Sequence, residues 1–319
     1  MTYPFVSFII PTLNAKKYLA ACLESIHKQN YPQNKYEVLV IDGGSADGTV
    51  MIAKKFHARV LYNASRDAES GKSIGIQAAK GEIIALVDAD NELVENDWLV
   101  RMVAPLLADS KIFGVESPWY VRKGDPLMNQ YVTLLHIADP LARRLHPVMK
   151  EEDHVSYTVY HLKLGDTPVV GANGFLWRKK FIKTINQYKP KFEEVNYISL
   201  MVAHGFVVYA RVKDVGIYHH YCTSVIDFIK KRIKIGRKFL TRKQKGQDTW
   251  VDQSRKSSFA AAVLYNISVV GPFFEAVREY KRSGNISWFL HPALSFITII
   301  VYGCVFIEMF FKRLSNPAI

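Results

Sequence analysis

The 319-residue chain predicts an α/β protein, a mostly parallel sheet flanked by helices, followed by a C-terminal membrane helical hairpin. Three observations carry this. Short apolar, β-rich runs alternate with stretches of helical spacing through the first ninety residues, the pattern of βαβ units. Two of those runs end in acids, Asp42 and Asp88, and a parallel sheet presents its ligands at the carboxyl ends of its strands. Residues 257–319 hold two long uncharged runs of the length a bilayer-crossing helix needs.

Residues 6–11, Val-Ser-Phe-Ile-Ile-Pro, read as the first strand, and residues 14–29 follow as a helix with Leu19, Leu23 and Ile26 on one face. The pattern repeats with a strand at 37–41, the turn Asp42-Gly-Gly-Ser45 and a helix at 49–56, then a strand at 59–62 and a helix at 72–79. A fourth apolar strand at 82–87 runs into Asp88-Ala89-Asp90. Beyond it the spacing predicts a helix over 126–145, a polar stretch over 151–166, a loop entering a short helix over 169–181, a helix over 197–204 closed by Gly205, and a strand over 207–211. No internal repeat is present. From Ser224 a segment containing Lys230-Lys-Arg-Ile-Lys-Ile-Gly-Arg-Lys238 alternates apolar residues with a basic face. Residues 257–274 and 283–307 are uncharged runs of 18 and 25 residues, separated by the charged segment 275–282. The chain thus divides into an α/β domain at 1–222, a basic juxtamembrane segment at 223–256, and two hydrophobic helices at 257–319 that span the membrane or, given Gly271-Pro272 and His291-Pro292, lie on it.

Composition, 49% hydrophobic and 22% charged, excludes a disordered linker, and the net charge of +13 is localised. Residues 1–220 carry 26 basic and 23 acidic side chains, residues 221–256 carry 11 and 3, and residues 257–319 carry 5 and 3. A near-neutral domain with a basic collar beside apolar runs fits an anionic membrane surface, not nucleic acid, which needs charge spread over a binding face. The collar and Lys312-Arg313 place both ends of the hairpin in the cytoplasm, and no cleaved signal peptide is visible. Cys22, Cys222 and Cys304 are too scattered for a disulfide framework or a zinc knuckle, which fits a reducing compartment.

Asp88 and Asp90, projecting from a strand end with no cation between Lys80 and Arg101, form a hard-oxygen site suited to Mg²⁺ or Mn²⁺, which would neutralise a diphosphate leaving group. A bare turn or cap is the alternative reading of such a pair.

In order and spacing, Val6-Ser-Phe-Ile-Ile-Pro-Thr-Leu-Asn14, Glu37-Val-Leu-Val-Ile-Asp-Gly-Gly-Ser-Ala-Asp-Gly-Thr49, Ala79-Lys-Gly-Glu-Ile-Ile-Ala-Leu-Val-Asp-Ala-Asp90 and Gly171-Ala-Asn-Gly-Phe-Leu-Trp-Arg178 resemble the family 2 inverting glycosyltransferases of GT-A fold, in their membrane-associated bacterial or archaeal form. The resemblance covers about residues 5–240. It implies a nucleotide-sugar donor, a divalent metal and single displacement at the anomeric carbon. It further implies that Thr12 and Asn14 line the nucleoside pocket and that Asp42 pairs with the nucleotide base. In the same way Asp88 faces the donor ribose or sugar and Asp90 is the principal metal ligand. Asp47 matches a further acid of the second block, or else caps the helix after it. Lys72 stands where relatives carry an arginine and would reach the diphosphate, with a solvated helix-start lysine as the alternative. In Glu193-Glu194-Val195-Asn196 the resemblance makes Glu194 the general base and Glu193 its acceptor-side neighbour. A carboxylate beside another resists ionisation, as a base acting on a sugar hydroxyl would favour, while an exposed acidic first turn is the bland alternative. Trp177 and Arg178 fall in the acceptor motif, with ordinary packing open for the tryptophan. The resemblance also implies that His219, or its neighbour His220, completes the metal site, and that Arg232 or Lys234 touches phosphate.

These expectations combine into sugar transfer from a nucleotide donor, UDP-linked in the first place, to a lipid-linked or glycan acceptor on the cytoplasmic face of the cell membrane. A polyprenyl-phosphate glycosyl synthase, whose acceptor is already anionic, is the alternative, and a non-catalytic membrane scaffold lies outside the class. Nucleotidyl transfer is disfavoured because Pro11-Thr-Leu-Asn-Ala-Lys16 lacks the glycines of a phosphate loop.

Overall fold

The computed structural model describes residues 3–166, 168–186, 192–244 and 256–315. They divide into two compact units, residues 1–120 with 148–219, and residues 121–147 with 220–319.

The first unit holds β1 (Val6–Thr12), α1 (Lys16–His27), β2 (Tyr36–Asp42), α2 (Thr49–Lys55), β3 (Arg59–Tyr62), α3 (Ala68–Ala78), β4 (Ile83–Leu86), β5 (Asn91–Leu93), α4 (Trp98–Ala108) and β6 (Gly114–Glu116). Its strands form one nine-stranded sheet in the order β3-β2-β1-β4-β9-β6-β10-β8-β7, with the later strands described below, and a two-stranded β11-β5 ribbon. The block β3-β2-β1-β4 is parallel. Both faces of β1, β2 and β4 are covered, which is why these strands read as continuous apolar runs rather than alternating ones, whereas β3 is a partly exposed edge. Val6, Phe8 and Ile10 of β1, with Ile83 and Ala85 of β4, enter one core with the apolar stripes of α1 and α4. Ile9, Ile84 and Leu86 enter a second core with Ile76 of α3.

The second half of the sheet departs from expectation. The stretch read as a loop entering a helix contains β9 (Phe175–Arg178), which lies antiparallel between β4 and β6 before α7 (Lys179–Asn186) begins. The polar stretch over 151–166 is an edge hairpin, β7 (Lys150–Asp153) and β8 (Tyr157–His161), and β7 is exposed at every residue. The next helix, α8 (Glu194–Ala203), begins three residues earlier than predicted, and β10 (Val208–Val212) and β11 (Ile217–His219) complete the unit.

The second unit is helical. The predicted helix over 126–145 is two, α5 (Leu127–Leu135) and α6 (Pro140–Leu145), separated at His136, whose φ is +58°, and restarted by Asp139, whose carboxylate accepts from the Leu141 and Ala142 amides. α9 (Val225–Gln244) is the basic helix, and residues 245–255 of the basic segment lie outside the described residues. The first hydrophobic run is not straight: α10 (Lys256–Ser268) and α11 (Val270–Ser283) meet at Val269, φ +60°, and are bent by 78°. Only the second run, α12 (His291–Ser315) with the short turn before it, is long and apolar enough to cross a membrane as one straight helix. The two hydrophobic segments are thus one straight candidate span and one pair bent at Val269.

Candidate active site

Parallel strands end together, so their carboxyl-side loops make one edge. Thr12 and Asp42 are register partners at the ends of β1 and β2, and the Thr12 hydroxyl donates to Asp42 Oδ1 at 3.0 Å. Ser45 donates to the same carboxylate from its hydroxyl at 2.5 Å and its amide at 2.8 Å, and the Gly44 amide donates at 2.9 Å. Burial opposes ionisation of Asp42, but these four donors outweigh it and hold the carboxyl below the usual carboxylate range. These four donors fix the Asp42 carboxylate in the loop that joins the ends of β1 and β2. Asn14, at φ +52°, ties that loop to β1: its amide donates to Ser45 Oγ, and its side-chain oxygen accepts from the Ala46 amide. Asp47 accepts from the Thr49 amide and hydroxyl and from the Lys16 amide, so it caps the helix behind it.

The turn after β4 carries Asp88 and Asp90, each about one-third exposed. Asn91, fully buried and not singled out from the sequence, organises them: its side-chain oxygen accepts from the Asp88 amide at 2.9 Å, and its Nδ2 donates to Asp90 Oδ1 at 3.4 Å. Its signal was a side-chain amide next to a turn, which alone is too common to stand out. Because β11 pairs with β5, His219 faces Asn91 across the ribbon, placing His219 Nε2 3.7 Å from Asp90 Oδ1 with the Trp119 ring on its flank. His220 turns instead to Arg122.

Two ligands each about 2.1 Å from one ion lie no more than about 4.2 Å apart, so Asp90 and His219 fit a shared divalent cation. Among the described residues no group of three or more acids, histidines and cysteines forms a self-sufficient cage.

Lys72 projects from α3, which is capped by Asp67 accepting from the Ser70 amide. It is buried rather than solvated. Its ammonium pairs with Glu194 Oε1 and stands 3.9 Å from Asp88 Oδ1. Burial disfavours that charge, but the attraction of Glu194 and Asp88 wins and raises the lysine above its usual range. Glu194 opens α8 and is itself buried, while Glu193 accepts from Asn196 Nδ2 at 2.8 Å. The charge facing Glu194 is thus a cation 122 residues away in sequence. Room for Glu194 depends on Gly171, at φ +103°, where an added Cβ would lie 3.3 Å from the Glu194 Cβ and 2.7 Å from the Trp177 ring.

Three expected site residues are elsewhere engaged. Trp177 is fully buried, in tilted contact with Phe113 and Phe175 and edge-on contact with Phe192, with Nε1 donating to the Gly171 carbonyl, so it forms core and offers no face to a sugar. Arg178 pairs in register with Ile83, at the opposite end of β4 from Asp88, and its guanidinium donates to the carbonyls of Leu106, Asp109 and Ile112. Arg232 is buried in the helical unit, donating to Asp139 Oδ2 at 2.8 Å and to the Tyr221 hydroxyl at 2.6 Å, which removes it as a phosphate ligand.

The fold is of GT-A type. It is similar to the mannosyltransferase PcManGT of Pyrobaculum calidifontis, solved in complex with GDP-Man and Mn²⁺, with a TM-score of 0.56 over 94% of this chain and 87% of that one at 15% identity, a likeness of fold alone. In sequence the chain is 26% identical over 243 residues to a dolichyl N-acetyl-alpha-D-glucosaminyl phosphate 3-beta-D-2,3-diacetamido-2,3-dideoxy-beta-D-glucuronosyltransferase of Methanococcus voltae, covering 73% of this chain and 72% of the relative. It is 36% identical over 111 residues to the glycosyltransferase AglE of Haloferax volcanii, covering 33% of this chain and about a third, 36%, of that relative. The profile of glycosyl transferase family 2 matches residues 7–190, more than half of the chain, and with the strand-end acids in place the chain belongs to that family.

Proposed function

We propose that the protein transfers a sugar from a nucleotide-diphosphate sugar, UDP-linked in the first place, to a lipid-linked or glycan acceptor, with inversion and with Mn²⁺ or Mg²⁺ as cofactor. The observation that carries this reading is the convergence of Asp88, Asp90, His219, Lys72 and Glu194 on one side of the sheet in a family 2 chain. Asp90 and His219 would hold the metal, which would supply charge neutralisation for a diphosphate leaving group. Asp88 faces the donor sugar, the loops of Thr12, Asn14 and Asp42 wall the nucleoside, and Lys72 reaches the diphosphate. Glu194 accepts the proton of an acceptor hydroxyl, with Glu193 beside it. The apolar helices and the basic collar attach the enzyme to the cytoplasmic face of the cell membrane. The Methanococcus relative's dolichyl phosphate-linked substrate supports a lipid-linked acceptor.

A second reading is favoured by one observation. Glu194 already holds a buried lysine, and an acceptor that is a lipid phosphate needs no base. Transfer to a polyprenyl phosphate would then survive Glu194→Gln, whereas transfer to a hydroxyl would fall by two to four orders of magnitude, the usual contribution of a general base, ~10²–10⁴-fold.

The test is a panel of nucleotide sugars with Mn²⁺ or Mg²⁺, read as thermal stabilisation and donor hydrolysis. One donor is expected to stand out, and Asp90→Ala to lower turnover on the order of a hundredfold or more. If no nucleotide sugar binds or is hydrolysed, and Asp90→Ala changes nothing, the proposal fails.

A further inference from the structure

The helical unit exposes much of its apolar side-chain surface. Along α12 the buried positions include His291, Ser295 and Thr298, whereas Phe306, Ile307, Phe310 and Phe311 are exposed. Within the same unit Arg143 is paired with Glu275, Arg232 with Asp139, and the Tyr131 hydroxyl with His291 Nδ1. Buried ion pairs inside and large apolar side chains outside describe a surface made for lipid.

By length and composition the segment Ile286–Ser315 would cross a bilayer, but its neighbour α9 argues against it. Arg237 pairs with Glu308 at 2.8 Å, a Cβ on Gly236 would lie 3.1 Å from the Tyr302 ring and 3.4 Å from Val305, and Tyr302 shares Asp139 with Arg232. The matches 232 to 302, 236 to 305 and 237 to 308 run the two helices side by side in the same direction. Exposed Lys230, Lys234 and Arg237 of α9 therefore stand level with the second half of α12, where a crossing would put them in hydrocarbon. The bent pair does not cross either: the straight apolar arm Ser258–Ser268 is about 17 Å long, against a hydrocarbon core of about 30 Å. Val270, Phe273 and Phe274 are exposed just past its bend.

We propose that the helical unit is monotopic: the aromatic face of α12 and the α10–α11 bend seat in one leaflet of an anionic bilayer, and no helix crosses. The cations of α9, with Lys281, Arg282, Lys312 and Arg313, meet the anionic headgroups. This inference rests on the membrane attachment proposed above and changes its form from spanning to one-sided. It is independent of which sugar is transferred.

The experiment uses the full chain in sealed membrane vesicles of known orientation, with Cys304→Ser removing the exposed native thiol and Gln244→Cys, Ser283→Cys or Ser315→Cys added singly at exposed positions. A membrane-impermeant maleimide is expected to label all three from the same side and none from the other. Opposite sidedness of Ser315→Cys and Ser283→Cys would make α12 a span, and Ser283→Cys alone on the far side would restore the hairpin; either overturns the monotopic seating while leaving attachment intact. Failure of the wild-type chain to partition onto phosphatidylglycerol-containing vesicles, with or without high salt, would overturn attachment itself and the seating with it.

Discussion

Replacing Lys72 by methionine removes one charge from the centre of the site and keeps most of the aliphatic stem. The side chains of Lys72 and Glu194 are only 8% and 11% exposed, so the pair is screened little by water, and deleting one partner strands the other in a low-dielectric setting. Such deletions cost roughly 3–5 kcal/mol, whereas replacing both partners by apolar residues of similar volume is near neutral. Lys72→Met is therefore expected to lose about 3–5 kcal/mol in urea unfolding, and Lys72→Met combined with Glu194→Leu to recover most of it. Asp88 also loses its cation in both variants, but it is partly exposed and water serves it instead. The pH dependence has a definite sign. The folded-state lysine is raised above its unfolded value, so its contribution is complete below about pH 10 and is lost only as pH rises through the raised value. In Lys72→Met the stranded Glu194 is relieved by protonation, so the penalty should shrink as pH falls. A loss under about 1 kcal/mol for the single variant, with no recovery in the double, would refute the assignment of a buried pair, since that is the scale of an exposed one.

Other consequences are open to direct measurement. Asp42 is held below the usual carboxylate range, so its contribution is present above about pH 4 and declines as pH falls through the lower folded value; Asp42→Asn should remove part of the acid dependence and cost about 1–3 kcal/mol at neutral pH, seen by comparing unfolding curves at pH 3.5 and 7. Trp177→Ala should destabilise the first unit by about 3–5 kcal/mol, with the KM for acceptor unchanged in the protein that remains folded; an acceptor KM effect without a stability loss would return the ring to the site. Arg232→Leu should behave as loss of a buried ion pair, lowering stability by roughly 3–5 kcal/mol without altering nucleotide-sugar binding by calorimetry. Asn91→Ala, which frees the Asp88 amide and one contact of Asp90, should weaken Mn²⁺ dependence about 10–100-fold, the usual effect of removing a supporting partner from a metal ligand.

Legibility in the sequence followed burial. β1, β2 and β4 were readable because both faces of a parallel block are covered, so each strand is an unbroken apolar run. β9 was not, because four residues after a glycine-rich turn give too short a period to separate from a helix start. β7, Lys-Glu-Glu-Asp, is exposed throughout and carries no alternation at all. The helix over 126–145 looked continuous because periodicity does not register a single left-handed residue at His136.

The sequence by itself determined the α/β class, the order of the strand-end acids that places the chain in its family, the localisation of positive charge, and the presence of apolar helices at the C-terminal end. All of these are local patterns of spacing and residue type. Only the tertiary structure decided that Lys72 answers Glu194, that Trp177 and Arg178 serve the interior and the far edge of the sheet, that Arg232 is spent on Asp139, and that α9 lies along α12. Each of those is a pairing between residues tens to more than a hundred positions apart. The partner of a charge or a ring is chosen by which strands and helices pack together, and local periodicity records that a residue is buried without recording what it is buried against.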